Sequence, residues 1–237
     1  MDVSYLAASI IITAGMLISV LKKNLTVMAA LTGGLLAVII FIGGGFTGIS
    51  LLTAFFVLGA GATAWKFKTK KKDGLAESGN GKRNAGQVFA NAGAAAILAL
   101  LATYNTNHAA LLHLMIAASF SATTADTLSS ELGNVYGRRY YHILSFREIQ
   151  RGANGAVSLQ GIVAGIMGST IIALTYVLGT GWNAPHFLVI IIAGTAGNII
   201  DSILGLTLEN KGLLTNNAVN FLNTAAGAVV AGVWYML

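Results

Sequence analysis

At 237 residues the chain is 55% hydrophobic and only 9% charged, far more apolar than a soluble domain needs, so a polytopic membrane protein is expected. Cysteine is absent, which excludes disulfides, a thiol nucleophile and Cys-ligated zinc. The net charge of +6 could suit nucleic acid, but its placement along the chain points to the bilayer, and no nucleic-acid partner is expected.

In chain order, about eight apolar runs of bilayer-crossing length fall near 3–21, 25–42, 47–65, 85–103, 108–128, 157–178, 186–206 and 217–236. The first carries Asp2 in place of a basic n-region and shows no small-residue cleavage site, so it reads as a retained helix. The first three spans (1–65) hold little beyond Ser, Thr and Gly among polar residues and read as scaffold. Within them, Gly33-Gly34 and Gly43-Gly44-Gly45 mark helix packing or turns. Residues 66–84 form a basic loop whose Lys70-Lys71-Lys72 run suits stop-transfer and contact with anionic lipid. Five spans follow in 85–237 and carry the polar site. The whole of 1–237 is expected to be one all-α transmembrane domain.

An outside N-terminus places segments 22–24, 66–84, 129–156 and 207–216 in the cytoplasm. These hold all 14 Lys and Arg residues, the one-sidedness that the positive-inside rule expects. Dropping one span would scatter it. Both termini are therefore expected on the non-cytoplasmic side of a cell inner (plasma) membrane, with the charged chemistry facing the cytoplasm.

Polar stripes mark four of the later helices. Asn84, Gln87 and Asn91 share a face of the fourth span, and Thr123, Asp126 or Thr127, and Ser130 a face of the fifth. On the seventh lie Asn198, Asp201, Gly205 and Glu209. On the eighth lie Asn216 or Asn217, Asn220, Asn223 and Gly227. Any one stripe can be interhelical hydrogen-bond glue. Their common depth predicts a shared cavity open to the cytoplasm.

Two aspartates dominate the pattern, because a carboxylate at the edge of a hydrocarbon span is costly unless it meets a partner, an ion or water. Asp126, Glu131 and Asp201, with Glu209 as a further candidate, offer hard oxygens of the kind Mg²⁺ takes together with substrate phosphates. Glu131 lies five residues past Asp126, so an unbroken helix turns it away; either the helix ends there or Glu131 serves another partner. His108, His113 and His142 read as non-ligands. The basic members are Lys82, Arg83, Arg138, Arg139, Arg147 and Arg151. In Arg151-Gly152-Ala153-Asn154-Gly155-Ala156-Val157-Ser158 a turn leads into a helix at Ser158, and a helix N-terminus beside arginines suits phosphate. Ser78-Gly79-Asn80-Gly81-Lys82-Arg83 lacks the Walker A spacing, and no kinase catalytic loop or Gly-x-Ser-x-Gly elbow occurs. Carboxylates, arginines and a helix N-terminus at a membrane surface point to phosphoryl chemistry on a lipid.

Gly81–Val88, Ala125–Gly133, Gly152–Ser158, Gly197–Ser202 and Leu214–Asn220 resemble the membrane family that includes transmembrane protein 19 and plant phytyl-phosphate kinase. More distantly the chain is similar to CTP-dependent dolichol and phytol kinases and phosphatidate cytidylyltransferases. The resemblance implies an integral membrane kinase that converts an isoprenyl monophosphate to its diphosphate, with CTP the expected nucleotide and Mg²⁺ the expected cofactor. Asp126, Glu131 and Asp201 would be the catalytic, metal-holding carboxylates. Lys82, Arg83, Asn84, Gln87, Asn91, Ser130, Arg138, Arg139, Arg151, Asn154, Gly155, Ser158, Asn198, Asn216, Asn217 and Asn220 would bind substrate and nucleotide. The expected partners are a prenyl-phosphate lipid, a nucleoside triphosphate and the bilayer, with a second copy of the chain a further candidate. The rival readings are an ion- or proton-coupled transporter or lipid flippase using the Asp clusters, and a non-catalytic scaffold.

Overall fold

Among the described residues there are eight α-helices: α1 (Val3–Leu21), α2 (Val27–Ala64), α3 (Phe67–Lys72), α4 (Ala85–Tyr104), α5 (Ala109–Tyr136), α6 (Leu159–Thr180), α7 (Ala184–Leu204) and α8 (Asn216–Met236). The computed structural model describes residues 3–76 and 79–237; Asp2 and Ser78, both noted in the sequence, lie outside the described residues. The expected all-α class holds. Among the described residues the only sheet is a two-residue hairpin, β1 (Tyr141–His142) paired antiparallel with β2 (Ala156–Val157).

Among the described residues seven helices are long and apolar enough to cross a bilayer, and α2 reconciles that number with the eight expected runs. Its 38 residues would extend about 57 Å at 1.5 Å per residue, nearly twice a hydrocarbon core of about 30 Å. Gly45 breaks it, with φ 59° and ψ −154°, a conformation open to glycine at little cost. The arms 27–44 and 46–64 then fold back on one another. A Cβ on Gly48 would stand 2.9 Å from Ile40 Cγ2, and the Phe41 and Phe46 rings meet edge-on at 5.2 Å. Leu25, just before the first arm, and Gly59, late in the second, both meet Arg83.

Helix starts follow local capping chemistry. Thr26, Ser158, Asn183 and Thr215 each accept a backbone N–H from three residues on. Asn84 and Gln87 form a reciprocal capping box at the head of α4. Pro185 sits in the first turn of α7, where its missing N–H costs nothing.

The central element is α5, packed against α2, α4, α6, α7 and α8. Leu114, Ile116 and Phe120 of α5 meet Ile172 of α6 and Ile190 of α7 in the main core. Glycines allow the close approach: a Cβ on Gly161 or Gly165 of α6 would stand 2.8 or 2.9 Å from the Ser129 or Ala125 carbonyl of α5. The 28 residues of α5 reach about 42 Å. The helix therefore continues past the expected end at 128 and carries Ser129–Tyr136 beyond a bilayer core.

All the basic segments gather at one end of the bundle. There Thr26 N donates to Arg83 O at 3.0 Å, and Asn154 Nδ2 to Asn210 Oδ1 at 2.7 Å. The opposite end holds the Gly45 turn, where His113 Nε2 lies 2.7 Å from Gly43 O, and the His186 ring beside Trp234 and Tyr235.

Candidate functional site

At the basic end a polar cavity of about 190 Å³ opens between α5, α6, α7 and α8. On one wall stands Asp126, followed by Ser129, Ser130 and Asn134; on the other stand Asn198, Asp201 and Ser202. Asp126 and Asp201 face each other within side-chain hydrogen-bonding range. Behind them, Asn223 Nδ2 of α8 donates to Asp201 Oδ1 at 3.3 Å, while the buried Asn223 Oδ1 has no hydrogen-bond partner.

The roof is the segment 152–158. Positive φ at Gly152 (82°) and Gly155 (75°) turns the chain over the cavity, and a Cβ on Gly155 would come 2.8 Å from Leu206 Cβ. The bond from Asn154 to Asn210 ties this roof to the chain beyond α7. A π-helical turn over Gly205–Glu209, a distortion common at functional sites, brings Glu209 to the cavity lining. Ser158 and Asn216, at the N-termini of α6 and α8, also line it, so two helix heads converge on the carboxylate pair. Tyr140 closes one side. Its hydroxyl donates to Gly133 O at 2.7 Å, and burial holds it above the ordinary tyrosine range against a smaller opposing pull from Arg151, so it stays a neutral donor.

The sequence-derived candidates divide. Asp126, Ser130, Asn154, Gly155, Ser158, Asn198, Asp201 and Asn216 all line the cavity. Glu131 does not: α5 continues unbroken and turns it toward α3, where it pairs with the buried Lys70, whose Nζ also donates to Ala62 O and Thr63 O at 3.0 and 2.9 Å. The Lys70-Lys71-Lys72 run thus sends its first member inward instead of to lipid headgroups. Asn84 and Gln87 serve the α4 cap, and the Asn91 amide oxygen accepts from Thr123 Oγ1 at 3.0 Å, so this stripe does not share the cavity. Asn217 lies against Gly86, and Asn220 is half-buried on α8. Arg151 pairs with Asp73. Arg138 and Arg139 are exposed, Lys82 is half-buried, and Arg83 lines two other cavities. Sequence reasoning missed Ser129, Asn134, Tyr140 and Ser202. Ser129 is three residues past Asp126 and Asn134 four past Ser130, so helical periodicity could have added them; Ser202 only adjoins Asp201, and Tyr140 carries no such signal.

Among the described residues no three or more His, Cys, Asp or Glu side chains gather as a metal cage. Two facing carboxylates beside an unpaired amide oxygen are nonetheless a hard-oxygen donor set, and Mg²⁺ characteristically takes one or two carboxylates and completes its shell with water and substrate phosphates.

No solved structure matches the chain. It is 33% identical to Protein VTE6, chloroplastic, of Arabidopsis thaliana over 193 residues, covering 79% of this chain and 58% of that protein's length. It is 36% identical to an uncharacterised membrane protein of Synechocystis over 215 residues, with 89% and 82% covered. Against an uncharacterised membrane protein of Methanocaldococcus jannaschii it is 31% identical over 195 residues, with 81% and 77% covered. The integral membrane protein family DUF92 matches residues 10–228, and the chain belongs to that family.

Proposed function

We propose that the protein is a membrane kinase that phosphorylates an isoprenyl (phytyl-type) monophosphate to the diphosphate at the cytoplasmic face of the cell membrane. The observation that carries this reading is the Asp126–Asp201 pair at the floor of a polar cavity headed by two helix N-termini. The resemblance to the plant phytyl-phosphate kinase branch supplies the substrate class.

Asp126 and Asp201 would hold Mg²⁺, with Asn223 and Asn198 beside them; the ion would supply neutralisation of phosphate charge. The N-termini of α6 and α8, with Asn154 and Asn216, orient a nucleoside triphosphate, CTP being the first to test. The roof over 152–158 limits water, so transfer goes to the lipid phosphate and not to hydrolysis. A phosphate oxygen of the acceptor attacks the γ-phosphorus, the bond to the bridging oxygen of the β-phosphate breaks, and the nucleoside diphosphate leaves. Catalysis of this kind is mainly positioning and charge neutralisation.

An ion-coupled transporter is less well supported. Its polar groups should continue across the bundle, whereas Leu114, Ile116, Phe120, Ile172 and Ile190 fill the core toward the opposite end. Purified protein in detergent, given Mg²⁺, γ-labelled CTP or ATP and a panel of prenyl monophosphates, should yield labelled diphosphate. No transfer across the panel, together with substrate flux in proteoliposomes, would replace the kinase with the transporter.

A further inference from the structure

Two cavities outside the polar site converge on one side chain. A basic anteroom of about 290 Å³, lined by Lys22, Lys23, Asn24 and Thr63, lies at the charged end of the bundle. An apolar gallery of about 310 Å³ runs between α1, both arms of α2 and α4. They share Phe56 and Arg83. Along the first arm of α2 the gallery extends from Ala30 to Ala37, about 10 Å at helical rise and so about a third of a hydrocarbon core.

Arg83 is only 7% exposed. A guanidinium offers five N–H donors, yet this one has no ion pair and no hydrogen-bonded acceptor among the described residues, where the two ion pairs are Lys70–Glu131 and Arg151–Asp73. Its close partner is the Phe55 ring, 5.5 Å from ring centroid to guanidinium carbon. The backbone holds it in place: Arg83 N donates to Asn24 O at 2.9 Å, and Arg83 O accepts from Thr26 N at 3.0 Å. Its donors face the two cavities with no acceptor from the chain, an arrangement that an anion would complete with charge-assisted hydrogen bonds. Arg83 also stands near enough to Asp126 to act on its charge, although it does not line the polar cavity.

The gallery is a single slot, widened by missing side chains. A Cβ on Gly15 would meet nothing within 4 Å, and one on Gly33 only Val88 Cγ1 at 3.6 Å. One slot with one cationic head suits a single-chain lipid phosphate, whereas a two-chain phospholipid would need room for a second tail.

We propose that the gallery holds the isoprenyl tail of the acceptor while Arg83, aided by Lys22 and Lys23, grips its phosphate, so that lipid and nucleotide approach Asp126 through separate cavities. This rests on the kinase reading for the identity of the acceptor. It separates two substrate sites that the sequence pattern merges, and it makes Gly15 and Gly33 determinants of chain length.

The test is direct binding in detergent without nucleotide or Mg²⁺, using labelled geranylgeranyl monophosphate and its shorter analogue geranyl monophosphate. The double variant Gly15→Leu/Gly33→Leu, which fills the slot, should weaken the long chain about tenfold and leave the short chain nearly unchanged. Arg83→Gln should weaken both about tenfold, with Arg83→Lys recovering part of the loss. Size-exclusion profiles separate these effects from misfolding. Unchanged affinity in the double variant overturns the gallery, and unchanged affinity in both Arg83 variants overturns the phosphate grip. Equal displacement by phosphatidic acid also overturns the proposal, because ordinary bilayer lipid then fills the groove. Binding with the expected sensitivities but no turnover with any nucleotide refutes only the kinase reading; turnover that ignores the gallery variants refutes only this inference.

Discussion

Asp126 on α5 and Asp201 on α7 face one another within side-chain hydrogen-bonding range, and Asn223 holds Asp201 from the α8 side. Two carboxylates that close either share a proton or hold a cation. If the cation is Mg²⁺, Asp126→Asn and Asp201→Asn keep shape and one acceptor oxygen while removing the neutralising charge. Each should lower kcat by a factor on the order of 10²–10³ and weaken Mg²⁺ dependence, with folding and membrane insertion intact. Turnover across a Mg²⁺ titration, with thermal unfolding in parallel, checks this. Near-normal activity of both variants at saturating Mg²⁺ would falsify the metal centre and leave the pair as helix-packing glue.

The buried Lys70–Glu131 pair ties α3 to α5. Lys70 is 2% exposed, and its remaining donors go to the carbonyls that end α2. Removing one partner of such a pair leaves a charge without compensation, at a cost of about 3–5 kcal/mol. Lys70→Met should therefore lower the unfolding temperature in detergent markedly, and Lys70→Met/Glu131→Leu should recover most of the loss. If Glu131 were a metal ligand instead, Glu131→Gln would abolish Mg²⁺-dependent turnover in a protein of nearly unchanged stability.

The spans and the shared cavity of the two Asp clusters were legible because hydrophobic length and helical periodicity report depth and face directly. Asp126, Asn198, Asp201 and Asn216 are together for that reason. Azimuth around the bundle was not legible. Glu131 could be placed off the Asp126 face, but nothing local names Lys70 as its partner, since Lys70 comes from a short helix set by the chain reversal at Lys66 (φ 46°). Asn84 and Gln87 looked like part of a binding stripe, while their spacing equally encodes a capping box, and the local cap won. Arg83 shares the depth of the polar cavity but lines two other cavities, a distinction that only packing creates.

Arg151 and Asp73 form a half-exposed pair beside the roof of the cavity, the kind of contact that contributes under about 1 kcal/mol to stability. Its importance would lie in competition. For Arg151 to bind a substrate phosphate, Asp73 must release it. Arg151→Ala should raise the apparent KM for the nucleotide several-fold with a smaller change in kcat, whereas Asp73→Asn should leave KM unchanged or lower it. Steady-state kinetics on the two variants decide the matter: equal increases in KM would mean the pair orders the loop and does not touch phosphate.

Orientation in the membrane can be tested without any assay of activity. The chain has no cysteine, so a single introduced thiol reports without background. Thr106 and Trp182 are exposed at the end opposite the polar cavity, and Arg147 and Lys211 are exposed at the cavity end. With every Lys and Arg held at the cavity end, the positive-inside rule predicts that this end faces the cytoplasm. A membrane-impermeant maleimide applied to intact cells should label Thr106→Cys and Trp182→Cys, and should reach Arg147→Cys and Lys211→Cys only after permeabilisation. The reverse pattern would turn the Asp126–Asp201 cavity away from the cytoplasmic nucleoside triphosphates, and a kinase reading could not survive that placement.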